Sequence, residues 1–404
     1  MKANRIGSPL CTILLFFLCS TTTTAADVEL DSLMRLGTDA FRAGRFLDAE
    51  RYHRLALERA QVTQASDAEV IYPMENLAND LLILGAYMES ETLFNRVLLT
   101  IRIRNIKDVP FEATVLSGLG SLYRKTGDYK HAESALNQAV QLLHKQPGSN
   151  RGELSSALNS LGILYTLRDQ RKAAENNFKK AIAILEDGSN DADLATIVAN
   201  LGGLYAAQKK WSAAESLLLR ALAIGERSLG PNHPDLSPTI DALGVLYYHR
   251  RRFPEAEAAF RRALQIRRAG FGPDHASLAI IYMNIGAVLT SYNADADAEA
   301  MYAEALRIQE KNGKREDSDT LQILEHFARL LDKLKRHAEA RQMEVRAKAI
   351  RAELNYTVQA SELGIFTNSR RVERSRAVAG KIRHENVIRF AVQSKTSNLP
   401  SNLR

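Results

Sequence analysis

Glutamate recurs along this sequence at one fixed register. Glu50, Glu91, Glu133, Glu175, Glu215, Glu257 and Glu299 follow one another at intervals of 40 to 42 residues. Carboxylates can act as general acid and base when two converge on one substrate. A periodic row gives each unit a single carboxylate instead. Each Glu also stands where a helix would begin, and there the helix dipole favours an anion. Glu50–Arg54, Glu175–Lys179 and Glu257–Arg261 are spaced to pair one turn apart. A second candidate is His233 with His275, which lie in equivalent turns. No cysteine or carboxylate joins them at ligand spacing, so a metal site is not expected. The sequence holds no HExxH, no phosphate-binding glycine loop and no GxSxG. No stretch before residue 351 breaks the periodicity so as to gather a base, a nucleophile or ligands. The expectation is therefore no catalytic residue, no metal and no cofactor.

The elements that carry this row are themselves periodic. A small residue falls at Gly37, Ala78, Gly120, Gly162, Gly202, Gly244, Gly286 and Ala328. Twelve residues later comes another, from Ala49 and Ser90 to Ala298 and Ala340, and nineteen later Ala56, Val97, Ala139 and their successors. Larger side chains such as Phe94, Phe178, Phe260 and Tyr302 lie between them. Two antiparallel helices approach closely where side chains are small, and large residues fill the space beside them. Apolar spacing within each unit is helical, as in Leu158, Leu161 and Tyr165 followed by Phe178, Ile182 and Leu185. Gly44, Gly85, Gly127, Asp169 and Asn293 mark the turn inside a unit. Gly-Pro pairs at 230–231 and 272–273 mark turns between units.

Leu201-Gly202-Gly203-Leu204-Tyr205, Ala213-Ala214-Glu215, Arg220-Ala221-Leu222-Ala223-Ile224 and Leu229-Gly230-Pro231-Asn232-His233-Pro234 recur one unit later. There they read Leu243-Gly244-Val245-Leu246-Tyr247, Glu255-Ala256-Glu257, Arg262-Ala263-Leu264-Gln265-Ile266 and Phe271-Gly272-Pro273-Asp274-His275. This pattern resembles the tetratricopeptide repeat, in the forty-two-residue form of kinesin light chains and their bacterial relatives, over about residues 31 to 351. The resemblance implies an all-α, right-handed superhelical solenoid of about eight helix-turn-helix repeats, with a concave face lined by first helices. It implies that Asn76, Asn79, Asn159, Asn200, Asn284, Arg124, Tyr248 and Arg329 face that groove. Asn76, Asn200 and Asn284 share one repeat position, and Asn159 stands beside it. An amide both donates and accepts, so such a row could hold an extended peptide backbone, and kinesin light chains carry asparagines at the equivalent place. The alternative is a hydrated helix face. The lysine pair of chaperone-binding carboxylate clamps is missing, since Met34, Arg35, Thr38, Asn76 and Asn79 stand in those places.

Residues 1–26 read as a signal peptide. Lys2 and Arg5 precede an apolar run from Leu10 to Leu18, and Thr24-Ala25-Ala26 suits a signal peptidase. That run is too short to span a bilayer. Both cysteines, Cys11 and Cys19, lie inside it, so the exported chain would have no disulfide. This leader departs from cytosolic kinesin light chains, so motor-cargo binding is not carried over. Of the net charge of +7, the leader carries two and the segment 352–404 five, with nine basic residues against four glutamates. The body, 27–351, is neutral, which excludes an electrostatic nucleic-acid binder. The basic tail is read as partly disordered and able to touch an anionic surface. Asn355–Gln359 and 386–392 have some strand character.

The sequence thus predicts a non-catalytic scaffold, periplasmic or extracellular, that binds a protein or peptide ligand in the groove. The alternative is an accessory or chaperone-like factor of a cell-envelope enzyme or export system.

Overall fold

A computed structural model describes residues 25–362 apart from 43–44, 64, 146–149, 187–190 and 314–316. The expected cleavage of the leader and the larger part of the basic tail lie outside the described residues.

Among the described residues, sixteen α-helices follow one another as eight antiparallel pairs. The first four pairs are α1 (Ala25–Arg42) with α2 (Phe46–Val62), α3 (Asp67–Leu84) with α4 (Tyr87–Arg104), α5 (Val109–Lys125) with α6 (Tyr129–His144), and α7 (Arg151–Leu167) with α8 (Arg171–Leu185). The last four are α9 (Asp191–Ala207) with α10 (Trp211–Leu229), α11 (Ser237–His249) with α12 (Phe253–Phe271), α13 (Leu278–Ser291) with α14 (Asp295–Lys311), and α15 (Ser318–Lys333) with α16 (His337–Glu362). Each helix packs on the next, and first helices also touch across one unit, as α5 does α7 and α7 does α9. This is the architecture of a superhelical solenoid, in which each repeat buries its core against its neighbours. Helix α16 runs on to Glu362, so Asn355–Gln359 is helical where strand character was expected. Its helical pattern simply continues past the last repeat.

The periodic small residues do what their size permits. A Cβ on Gly162 would lie 2.5 Å from the Phe178 ring, and one on Gly244 2.6 Å from Phe260. The ring sixteen residues on therefore lies against bare backbone, and Phe94, Phe178, Phe260 and Tyr302 are fully buried. Inside each unit the turn passes through the left-handed region. Gly85 (φ 85°), Gly127 (φ 84°), Asp169 (φ 56°) and Asn293 (φ 62°) were legible there. Lys209, Arg251 and Lys335 adopt the same conformation at φ 60–64° without being residues that favour it.

Candidate binding groove

The glutamate row links the repeats. Glu91, Glu133 and Glu175 each accept from the signature tyrosine of the following unit, Tyr123, Tyr165 and Tyr205, at 2.9–3.0 Å. Glu215 engages Arg250 and Arg252, and Glu299 engages Arg336. The expected i,i+4 pairs form too, at 2.6 Å for Glu50–Arg54 and 2.7 Å for Glu175–Lys179 and Glu257–Arg261. His233 and His275 serve their own turns, each Nδ1 accepting from the backbone N–H two residues on, Asp235 and Ser277, at 3.3 Å.

The residues expected in the groove lie on first helices, and the structure brings some of them together. Asn200 Nδ2 donates to Asn159 Oδ1 at 2.9 Å, across from α9 to α7. The pair uses one donor of Asn200 and one acceptor of Asn159, and Asn200 Oδ1 and the Asn159 amide hydrogens lie outside it. Asn284 Nδ2 donates to Asp241 Oδ1 at 3.3 Å, joining α13 to α11. Asn79 instead turns back on its own helix, donating to Glu75 Oε1 at 2.5 Å. Asn76 is half-buried beside it on α3. Tyr248 is half-buried on α11 with its ring 5.7 Å from Phe253. Arg329 is exposed on α15 and donates through Nε to the Glu325 carbonyl at 3.1 Å.

Two cations on α5 stand out. Arg124 and Lys125 are adjacent and half-buried, and no carboxylate among the described residues pairs with either. The Arg124 Nε is buried without a hydrogen-bond partner. Burial, with the neighbouring Arg124 charge second, lowers the Lys125 ammonium to about 8. Burial likewise lowers Arg124. A half-buried cation pair without a counter-charge is chemically suited to an anion. At the far end His326 is pushed down to about 3, by burial first and then by Arg329.

One departure from the repeat was missed in the sequence. His53 stands where later units bury Phe94, Leu136, Phe178, Leu218, Phe260 or Tyr302. Its ring lies on Gly37, whose added Cβ would sit 2.4 Å away. Asp80 stands where later units place Leu122, Leu164, Leu204 or Leu246. His53 Nδ1 and Asp80 Oδ2 are 2.6 Å apart, and both side chains are shut from solvent. Buried Glu75 lies close by, its carboxyl pushed up to about 7, chiefly by burial. The expectation of an unbroken repeat therefore fails at the junction of the first two units. A polar residue at each of two apolar repeat positions was the available signal.

The sequence matches the family model of the tetratricopeptide repeat over residues 69–145, 111–187, 193–269 and 237–311, more than half of the chain. The chain belongs to the tetratricopeptide-repeat family. Such repeats are scaffolds for protein–protein interaction. The tetratricopeptide chain is 22% identical over 136 residues to Protein KINESIN LIGHT CHAIN-RELATED 1 of Arabidopsis thaliana, a match that covers 33% of this chain. That match spans only 22% of the relative's length. Among solved structures, BtubC (BKLC) from P. vanneervenii is 25% identical, with 55% of this chain and 89% of that one covered and a TM-score of 0.49. Aspartyl phosphate phosphatase F from Bacillus subtilis aligns with 81% of this chain and 94% of its own, at TM-score 0.54 and 12% identity. That second likeness speaks for the fold alone.

Proposed function

We propose that this tetratricopeptide chain is a non-catalytic scaffold that holds an extended segment of a protein partner in its concave groove. The observation that carries the reading is the unpaired, half-buried Arg124–Lys125 pair on a first helix. An acidic side chain of the bound segment supplies the missing counter-charge, while the Asn159–Asn200 pair takes its backbone. The glutamates are engaged in links between and within repeats, and the His53–Asp80 pair is closed to any substrate, which supports a role without catalysis.

Panning a random-peptide library against the chain tests this. Segments bearing Asp or Glu are expected to be enriched, and the Arg124→Gln, Lys125→Gln double variant is expected to lose that enrichment. Enrichment that the double variant retains would place the acidic contact elsewhere. The leader further supports export, with a mature chain beginning at or near Asp27. N-terminal sequencing from the native host would show Met1 instead if the leader is retained.

A further inference from the structure

The outer faces of the first two repeats differ from all the rest. In each second helix one stripe points directly away from the buried face, at 10, 14, 18, 21 and 25 residues after the small signature residue. In the third unit this stripe reads Lys130, Ser134, Gln138, Gln141 and Lys145, all exposed. None of the later units places Leu, Ile, Val or Met on it. On α2 the stripe reads Leu47, Arg51, Leu55, Glu58 and Val62, and on α4 Met88, Thr92, Arg96, Leu99 and Ile103. The six aliphatic side chains in these two stripes are between 39% and 77% exposed. Arg54 Nη1 on α2 meets Glu89 on α4 at 2.9 Å, so the two stripes belong to neighbouring second helices. Clustered apolar exposure of this kind marks a contact surface, whereas scattered single residues do not.

The charges within the band decide what it contacts. Arg51, Arg96 and Arg102 are exposed and form no ion pair among the described residues. The acids around them include Glu58, on the same stripe, Asp48, which Arg45 engages at 3.4 Å, and Glu89, which Arg54 engages. A second copy docking through this face would set cation against cation at a two-fold interface. The stripes carry no aromatic side chain, the type that anchors most protein interfaces. Aliphatic side chains that can enter hydrocarbon, interleaved with arginines whose heads stay at the headgroup level, fit an anionic lipid surface. Among the described residues no helix is long and apolar enough to cross a membrane.

We infer that the convex face of α2 and α4 docks the chain on an anionic membrane surface, leaving the concave groove open to its partner. This inference stands apart from the groove reading.

Flotation of the full chain with vesicles tests it, using phosphatidylcholine alone or with about a third phosphatidylglycerol. The parent chain is expected to float with the anionic vesicles. Replacing Leu47, Leu55, Val62, Met88, Leu99 and Ile103 with Gln should lower that partition at least tenfold, with circular dichroism unchanged. Arg51→Gln, Arg96→Gln and Arg102→Gln together should remove the preference for phosphatidylglycerol, and added salt should mimic them. Equal flotation of the six-residue variant and the parent would overturn the inference, since the leader or the tail would then carry the contact. It would equally be overturned by no flotation of the parent, or by a parent dimer in analytical ultracentrifugation that the six-residue variant loses.

Discussion

His53 Nδ1 lies 2.6 Å from Asp80 Oδ2 across the junction of the first two repeats, with neither side chain open to solvent. The partner atoms are less well served, because His53 Nε2 and Asp80 Oδ1 are buried without hydrogen bonds. The third to seventh repeats fill the same two places with apolar side chains. Breaking such a pair from one side strands a buried polar group, whereas replacing both sides can be neutral or stabilising. Asp80→Leu alone should therefore destabilise the first two repeats by about 1–3 kcal/mol. His53→Phe with Asp80→Leu should recover that loss. Hydrogen exchange of α2 and α3 reads the local effect, and simple addition of the two single losses would show that the residues act independently.

Glu75 makes the same junction sensitive to pH. Its folded carboxyl is raised to about 7, by burial first, then opposed by the Asn79 hydrogen bond and the His53 charge and reinforced by Asp80. Asp80 is raised too, again chiefly by burial. A carboxyl raised on folding binds more protons in the native state than in the unfolded one, so stability falls as pH rises between the unfolded and folded values. The first two repeats should thus weaken from about pH 4.5 to about pH 7, by on the order of 3 kcal/mol. Glu75→Gln should flatten that slope. Urea titrations followed by exchange in α3 at several pH values check it, and an unchanged slope in the variant would move the effect to another group.

The asparagine ladder should show itself in binding and not in folding. Asn200→Leu removes the bond to Asn159, and Asn284→Leu the one to Asp241. Each should weaken partner affinity by about 1 kcal/mol or more where a peptide group is left buried and unpaired. Glu257→Gln, on a second helix and paired within its own helix to Arg261, should leave affinity unchanged. Calorimetry with a captured partner segment distinguishes the two, and equal losses would mean that the ligand does not lie in the groove.

Arg251 turns the chain between α11 and α12 at φ 60°, the place that Gly85 and Gly127 occupy in earlier units. The left-handed conformation costs a non-glycine residue about 1 kcal/mol or more. Arg251→Gly should accordingly raise stability by roughly 0.5–1 kcal/mol after the added flexibility of the unfolded chain is counted. Thermal unfolding reads the gain, and a loss would show that the Arg251 side chain makes a stabilising contact of its own.

Period and size were enough to read the fold from the sequence. Gly162 with Phe178, or Gly244 with Phe260, specifies a close helix pair because a bare backbone and a large side chain fit each other locally, and Gly120 with Leu136, Gly202 with Leu218 and Gly286 with Tyr302 repeat the rule. The groove residues were legible as positions, because a helix presents a fixed face at a fixed register. Which of them meet was not, since Asn159 and Asn200 are 41 residues apart and Asn79 chose Glu75 on its own helix. The glutamate row was legible as local pairs, while its tyrosine and arginine partners came only with the stacking of one repeat on the next. His53, Glu75 and Asp80 looked like ordinary polar residues in two separate repeats. Only the packing of α2 on α3 removed water from around them, and burial is what turned a histidine and two acids into one coupled group.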